Sequence, residues 1–226
     1  MSRPRTIAID GPAGVGKSTV GKLLADRHSY VFLDTGVLYR AVSLAALLGG
    51  TSTTDPASLE AVARGLDVRI LRADPGSGRM YMVCLGDKDV TDALRTPEVE
   101  RIVSQVAAHP GVRAALLSRQ REIARSDHSV LVGRDIGTVV LPDADLKVFL
   151  DAALEERARR RCLELTTAGR ETTLQAVLQD LRNRDRTDSG RATSPLRVPD
   201  DALVVETDGK SVEAVLAEIE ERMGPE

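Results

Sequence analysis

The chain has 226 residues, 42% of them hydrophobic and 29% charged, with a formal net charge of −3. That is ordinary globular composition, enough for one α/β domain with insertions. A net acidic chain argues against a general nucleic-acid binder, and no apolar run approaches the roughly 18 residues that would span a membrane.

Thr6–Ile9 predicts a short buried strand, reached directly from Met1-Ser2-Arg3-Pro4-Arg5 with no secretory h-region between. Then come Gly11, Pro12, Ala13, Gly14, Val15, Gly16, Lys17 and Ser18. They fit the pattern G-x-x-x-x-G-K-S/T, which cradles phosphates. Glycines let backbone N–H groups converge on phosphate oxygens without a Cβ in the way. The helix that starts at Gly16 turns its partial positive end to the same oxygens. Lys17 supplies a mobile cation, and the Ser18 hydroxyl is a ligand type for Mg²⁺. Thr19 follows in the same turn. Val20–Arg27 reads as the helix, so the context is strand, loop, helix. These residues predict a nucleotide-phosphate site.

Further strands are expected at Tyr30–Leu33, Val130–Val132, Lys147–Leu150 and Ala202–Val205, all buried on both faces. Helical patterns separate them: Leu38–Leu48, Val99–Ala124 with a break at His109-Pro110-Gly111, Leu154–Leu165, Leu174–Asn183 and Val212–Met223. Strands alternating with helices imply an α/β fold built on a doubly wound parallel five-stranded sheet. Leu66–Thr91 breaks that rhythm. Val68, Ile70, Met80, Met82 and Cys84 alternate around a turn at Asp74–Gly78, as in a small antiparallel insertion. Cys84 and Cys162 lie far apart and read as reduced packing residues of a cytoplasmic protein. The three histidines are too scattered for a metal site.

Arginines cluster at 157, 159, 160 and 161, and again at 182, 184, 186 and 191. Local arginine clusters in an acidic chain suit a small polyanion. They also suit solvated helix faces, and Glu156 with Arg160 has the i,i+4 spacing of a helix ion pair. A phosphate loop alone does not separate an ATPase, a GTPase switch and a kinase. The guanine-reading N-K-x-D tetrapeptide is absent. Two more motifs follow strands: Asp34-Thr35-Gly36-Val37-Leu38-Tyr39-Arg40 and Gly133-Arg134-Asp135-Ile136-Gly137-Thr138. Carboxyl ends of strands line the ligand crevice of open α/β sheets, so both suit an acceptor beside the donor phosphates.

With Arg95-Thr96-Pro97-Glu98-Val99, Ser104-Gln105-Val106-Ala107-Ala108 and Arg184-Asp185-Arg186 with Asp188 and Arg191, these motifs make the chain resemble the bacterial cytidylate kinases among the P-loop nucleoside monophosphate kinases. The resemblance implies one P-loop kinase domain over 1–226, with a monophosphate-binding insert at 66–103 and a lid at 157–172. It implies transfer of the γ-phosphoryl group of ATP to CMP or dCMP with Mg²⁺, in a cytoplasmic monomer that needs neither nucleic acid nor membrane. Ser104, Arg113 and Asp135 match positions that read cytosine; a carboxylate accepts from its N4 amino group. Arg40, Arg134 and Arg191 match positions on the acceptor phosphate, Thr35 and Tyr39 positions beside the nucleotide, and Arg184 and Asp188 positions on the sugar hydroxyls. Arg160 and Arg161 fall at the lid over the donor phosphates. The resemblance makes Lys17, Arg134 and Arg161 the expected catalytic set.

The family usually has an acid immediately before Gly-Arg-Asp; here that residue is Val132. Asp34 and Asp10 remain as acids for metal-bound water, and Asp34 joins Ser18 as the assigned metal ligand. Asp151 reads as structural. A UMP or AMP kinase and an ATP-hydrolysing regulatory switch are the competing readings. Without ligands, Arg40, Arg113, Arg134, Arg184 and Arg191 are expected to repel one another, which would hold Leu66–Thr91 and Thr166–Arg170 open.

Overall fold

The computed structural model describes residues 3–71, 77 and 79–224. The chain runs β1 (Thr6–Asp10), α1 (Lys17–His28), β2 (Val31–Asp34), α2 (Gly36–Leu48), α3 (Pro56–Arg64), β3 (Val68–Leu71), β4 (Met82–Leu85), β5 (Lys88–Asp89), α4 (Pro97–Ala108), α5 (Pro110–Ser126), β6 (Ser129–Val132), β7 (Leu146–Asp151), α6 (Leu154–Thr167), α7 (Leu174–Gly190), β8 (Leu203–Glu206) and α8 (Val212–Met223). Short helical turns lie at Ala93–Arg95 and Ile136–Val140. Contacts divide it into two compact units, Met1–Leu33 with Arg121–Glu226, and Asp34–Gln120.

The first unit is built on a five-stranded sheet in the order β2-β6-β1-β7-β8. β1 pairs in parallel with β6 and β7, and β7 with β8; Ile9 stands opposite Val132 on one side and Val148 on the other. The apolar runs explain the placement. Ile7, Ile9, Val130, Val148 and Leu150 are buried with Leu24 of α1 and Leu216 and Ile219 of α8. Burial on both faces holds for the inner strands only. β8 is an edge strand with one neighbour, and Val204 is 50% exposed.

Local signals set the helix ends. The pyrrolidine ring of Pro110 removes an N–H and constrains His109 to extended backbone, so α4 stops there and α5 begins. The Ser211 hydroxyl accepts from the Ala214 amide at the start of α8. The helix α3 is absent from the expected elements. Its own start signal is in the sequence: Asp55 accepts from the amides of Ala57 and Ser58, with Pro56 at the first helical position.

The second unit holds the antiparallel sheet β3-β4-β5. The pairing is antiparallel as expected, but Val68 pairs with Leu85 and Ile70 with Val83. Val83 and Leu85 therefore share their face, while Cys84 and Met82 stand opposite Arg69 and Leu71. Residues 80–85 are apolar throughout, so a period of two could not choose between the registers. β5 is a third strand of only two residues, too short for a period-two pattern to show. The expected turn at 74–78 lies outside the described residues except for Ser77. Leu38, Leu59, Val83, Val99 and Leu116 form this unit's core.

Candidate active site

The loop between β1 and α1 is shaped by its glycines. Gly11 has φ 148°, and a Cβ there would stand 2.1 Å from the Leu150 carbonyl oxygen. Gly16 caps α1 at φ 95°, where an L side chain is strained and an added Cβ would meet nothing within 4 Å. No side chain caps α1, and its first turn carries no acid, so its amino end is left electropositive toward the loop. Lys17 is 7% exposed; its Nζ donates to the carbonyl oxygens of Gly11 at 2.8 Å and Pro12 at 2.6 Å. Ser18 is half-buried and Thr19 exposed. This cradle fits a nucleotide polyphosphate, whose oxygens can take the Lys17 ammonium over from the two carbonyls.

Arg157 is a loop-holding residue that the sequence places only in a basic cluster. It is 6% exposed and donates to the carbonyls of Ala13 and Ala152, both at 3.0 Å, and to Asp185 at 2.8 Å. Its backbone also backs Gly14, where a Cβ would meet the Arg157 carbonyl oxygen at 3.3 Å. Arg160, at the expected lid, bonds Glu156 at 3.0 Å and the hydroxyl and carbonyl of Thr207 at 2.9 and 2.6 Å. Arg161 pairs with Glu164 at 2.8 Å.

Arg134 and Asp135 follow β6 in the same unit. Arg134 donates from Nε to Asp188 at 2.8 Å. Arg191 lies 3.6 Å from both Asp135 and Asp188, and donates from Nε to the Ser194 carbonyl at 2.6 Å. Arg134, Asp135, Asp188 and Arg191 thus form one group of alternating charge. Arg184 pairs with Asp180 at 3.2 Å. Asp10, only 1% exposed, accepts from the amides of Ile136 at 2.8 Å and Gly137 at 2.7 Å. Burial pushes its carboxyl up to about 6, with Asp135 adding to the rise; the two amides and Lys17 oppose it. Both Asp10 oxygens are therefore engaged by backbone. Val132 packs against α1: a Cβ on Gly21 would stand 2.5 Å from it.

In the second unit, Thr35 begins α2, and Tyr39 and Arg40 follow on that helix. Arg113 lies over the Tyr39 ring, 5.2 Å from its centre, and donates to the Ala107 carbonyl at 3.1 Å. Ser104 is half-buried on α4. Asp34 accepts from the Gly36 amide at 3.0 Å. Two residues of this neighbourhood carry no signal in the sequence. Glu100 of α4 is buried and accepts twice from Arg40. Tyr81 hydrogen-bonds Arg95; burial, and after it Asp34, raises the Tyr81 hydroxyl above the usual range, while Arg95 and Arg40 oppose this.

The expected mutual repulsion of the arginines is not what this structure contains. Arg40 has Glu100, Arg134 has Asp188, Arg184 has Asp180 and Arg191 has Asp135. Arg113 has a carbonyl and a ring. Carboxylates therefore pair with Arg40, Arg134, Arg184 and Arg191, each within its own unit.

Among the described residues no three His, Cys, Asp or Glu side chains gather as a metal site. A glycine loop closing on a buried lysine, between the first strand of a parallel sheet and an uncapped helix, defines a P-loop nucleotide-binding protein. A profile of the cytidylate kinases matches residues 7–224, and the chain belongs to that family. It is 47% identical to a cytidylate kinase of Herpetosiphon aurantiacus over 219 residues, 97% of this chain and 94% of that one. It is 46% identical to a cytidylate kinase of Geobacter sulfurreducens over 95% of this chain and 90% of the other. Among solved structures, an uncharacterized protein from Eubacterium ventriosum aligns over 96% of this chain and 97% of its own with a TM-score of 0.52. At 13% identity that is a likeness of fold alone.

Proposed function

We propose that the protein transfers the γ-phosphoryl group of ATP to CMP or dCMP, releasing ADP and CDP or dCDP. The observation that carries this is a complete phosphate-binding loop with Lys17 buried against it, in a chain matched almost end to end by the cytidylate kinase family.

The reaction needs positioning and charge neutralisation rather than a covalent intermediate. The acceptor is already a phosphate anion, so no strong general base is required. Residues 11–19 hold the donor phosphates, and Lys17 leaves the Gly11 and Pro12 carbonyls to neutralise the transferring group. Ser18 and Asp34 would hold Mg²⁺, which supplies further neutralisation of the phosphates when bound. Arg160 and Arg161, on a lid over 157–172, exchange Glu156, Thr207 and Glu164 for donor oxygens, and closure excludes water.

For the acceptor, Arg40, Arg134 and Arg191 are assigned to the phosphate, Arg184 and Asp188 to the sugar hydroxyls, and Thr35 and Tyr39 to the nucleotide beside them. Asp135 accepts from the cytosine amino group, and Ser104 and Arg113 fix the ring. The alternating charges of Arg134, Asp188, Arg191 and Asp135 support this, since each group is already held by an opposite charge. The insert at 66–103 would carry part of the acceptor side. A monomer is what the family resemblance leads us to expect. Free Cys84 and Cys162 agree with a cytoplasmic location, and no described helix is long and apolar enough to cross a membrane.

The test is an acceptor panel of CMP, dCMP, UMP and AMP with ATP and Mg²⁺, reading ADP. CMP or dCMP is expected to have the highest kcat/KM. A preference for UMP or AMP would make it another monophosphate kinase, and ADP release independent of acceptor would make it a hydrolytic switch.

A further inference from the structure

The carboxyl end of β1 does more than lead into the phosphate loop. The Ile9 carbonyl accepts from the Gly133 amide at 3.0 Å, and the adjacent Asp10 carboxylate accepts from the Ile136 and Gly137 amides. Arg134 and Asp135 are the two residues strung between those anchors. Their stretch of chain is therefore tied at both ends to consecutive residues of one strand, immediately before Gly11. The turn that follows, Ile136–Val140, is closed by i→i+5 bonds from Val140 to Asp135 and from Leu141 to Ile136. Asp135 does not cap it with its own side chain; Asp10 takes that place. At the other end, Arg121 donates to the carbonyls of Val139 and Val140, both at 2.9 Å. A buried acid at the amide end and a cation at the carbonyl end clamp the turn.

We propose that Asp10 is a positioning residue that sets Arg134 and Asp135 in register with the phosphate loop, so that base choice and acceptor-phosphate contact depend on a side chain that touches neither substrate. This rests on the reading of Arg134 and Asp135 as acceptor residues. Burying a carboxylate is costly, and a residue needed only to end a strand would not require one. The charge is what lets a single side chain accept from two amides at once.

The test is Asp10→Asn, which keeps the shape but presents an NH₂ to one of the two amides. KM for CMP is expected to rise about tenfold, the scale of one charge-assisted hydrogen bond. The kcat/KM preference for CMP over UMP falls with it, because a displaced Asp135 reads the amino group poorly. The Kd for ATP without acceptor stays within about twofold. In the Asp135→Ala background, Asp10→Asn has a smaller effect than in the natural chain, since both act through one group. An unchanged CMP preference overturns the proposal, as does an equal loss of ATP affinity. If Asp10→Asn lacks a cooperative unfolding transition, Arg121→Gln at the other end of the turn replaces it. The same loss of preference then supports the proposal, and a retained preference overturns it. Asp135→Ala separates the layers. If it keeps the preference for CMP, the acceptor reading fails and this inference with it. If it loses the preference while Asp10→Asn does not, only the Asp10 role fails.

Discussion

Arg40 donates from both Nε and Nη2 to a single oxygen of Glu100, at 3.2 and 3.1 Å, across a separation of 60 residues. The Glu100 side chain is only 7% exposed, so the pair is held largely away from water. Removing one member of such a pair leaves a buried charge uncompensated. Arg40→Met is expected to lower unfolding stability by about 3 kcal/mol. Adding Glu100→Gln should restore much of it, while KM for CMP is expected to stay raised if Arg40 holds the acceptor phosphate as proposed. Urea unfolding and steady-state kinetics on the single and double variants check this. A double variant no more stable than Arg40→Met would remove the pair from the stability of this unit.

Lys17 is poised rather than free, with its ammonium on the Gly11 and Pro12 carbonyls. Lys17→Met removes the cation proposed to neutralise the transferring group. Its kcat is expected to fall by about a hundredfold or more, the scale of a charge-stabilising group lost from a transition state. Near-normal turnover in a folded variant would separate the loop from the chemistry.

Gly11 has no room for a side chain. Gly11→Ala would place a methyl carbon 2.1 Å from the Leu150 carbonyl oxygen, a backbone atom that cannot rotate aside. The loop or β7 has to shift, and a shift of about 1 Å at a phosphate cradle costs on the order of a hundredfold in rate. ATP affinity measured by calorimetry should fall, whereas Gly16→Ala, with open space at its Cβ, is expected to suffer from backbone strain alone. Equal losses in the two variants would count against the close contact at Gly11.

The pH dependence of stability has a calculable sign. The Asp10 carboxyl is raised from 3.8 to about 6 in the fold. Between those values the folded chain binds the proton more tightly than the unfolded chain. The stabilising contribution is complete below about pH 4 and is lost as pH rises through about 6, roughly 3 kcal/mol in all. Asp10→Asn carries no titratable group there. The unfolding free energy of the natural chain minus that of Asp10→Asn should therefore decline from about pH 4 to about pH 7. A flat difference, or one that climbs, would show that the amide bonds outweigh burial at this carboxylate.

The phosphate loop, its flanking strand and helix, the parallel strand succession and the antiparallel insertion are all legible in the order of the residues. These depend on contiguous residues: glycines at fixed offsets, apolar runs, a Pro after His109. A small part of the local signal stayed below the threshold of pattern. Asp55-Pro56 starts a nine-residue helix, and β5 has two residues. The company each charge keeps emerges only once the chain is folded. Asp10 meets amides more than 120 residues away, Arg134 meets Asp188, Arg40 meets Glu100, and Arg157 reaches back to Ala13. A residue's charge can be read from its letter, but Coulomb attraction and desolvation act through distance and burial, and neither is set until strands far apart in the chain lie side by side. The arginines that look mutually repulsive along the sequence are neutralised in space for that reason.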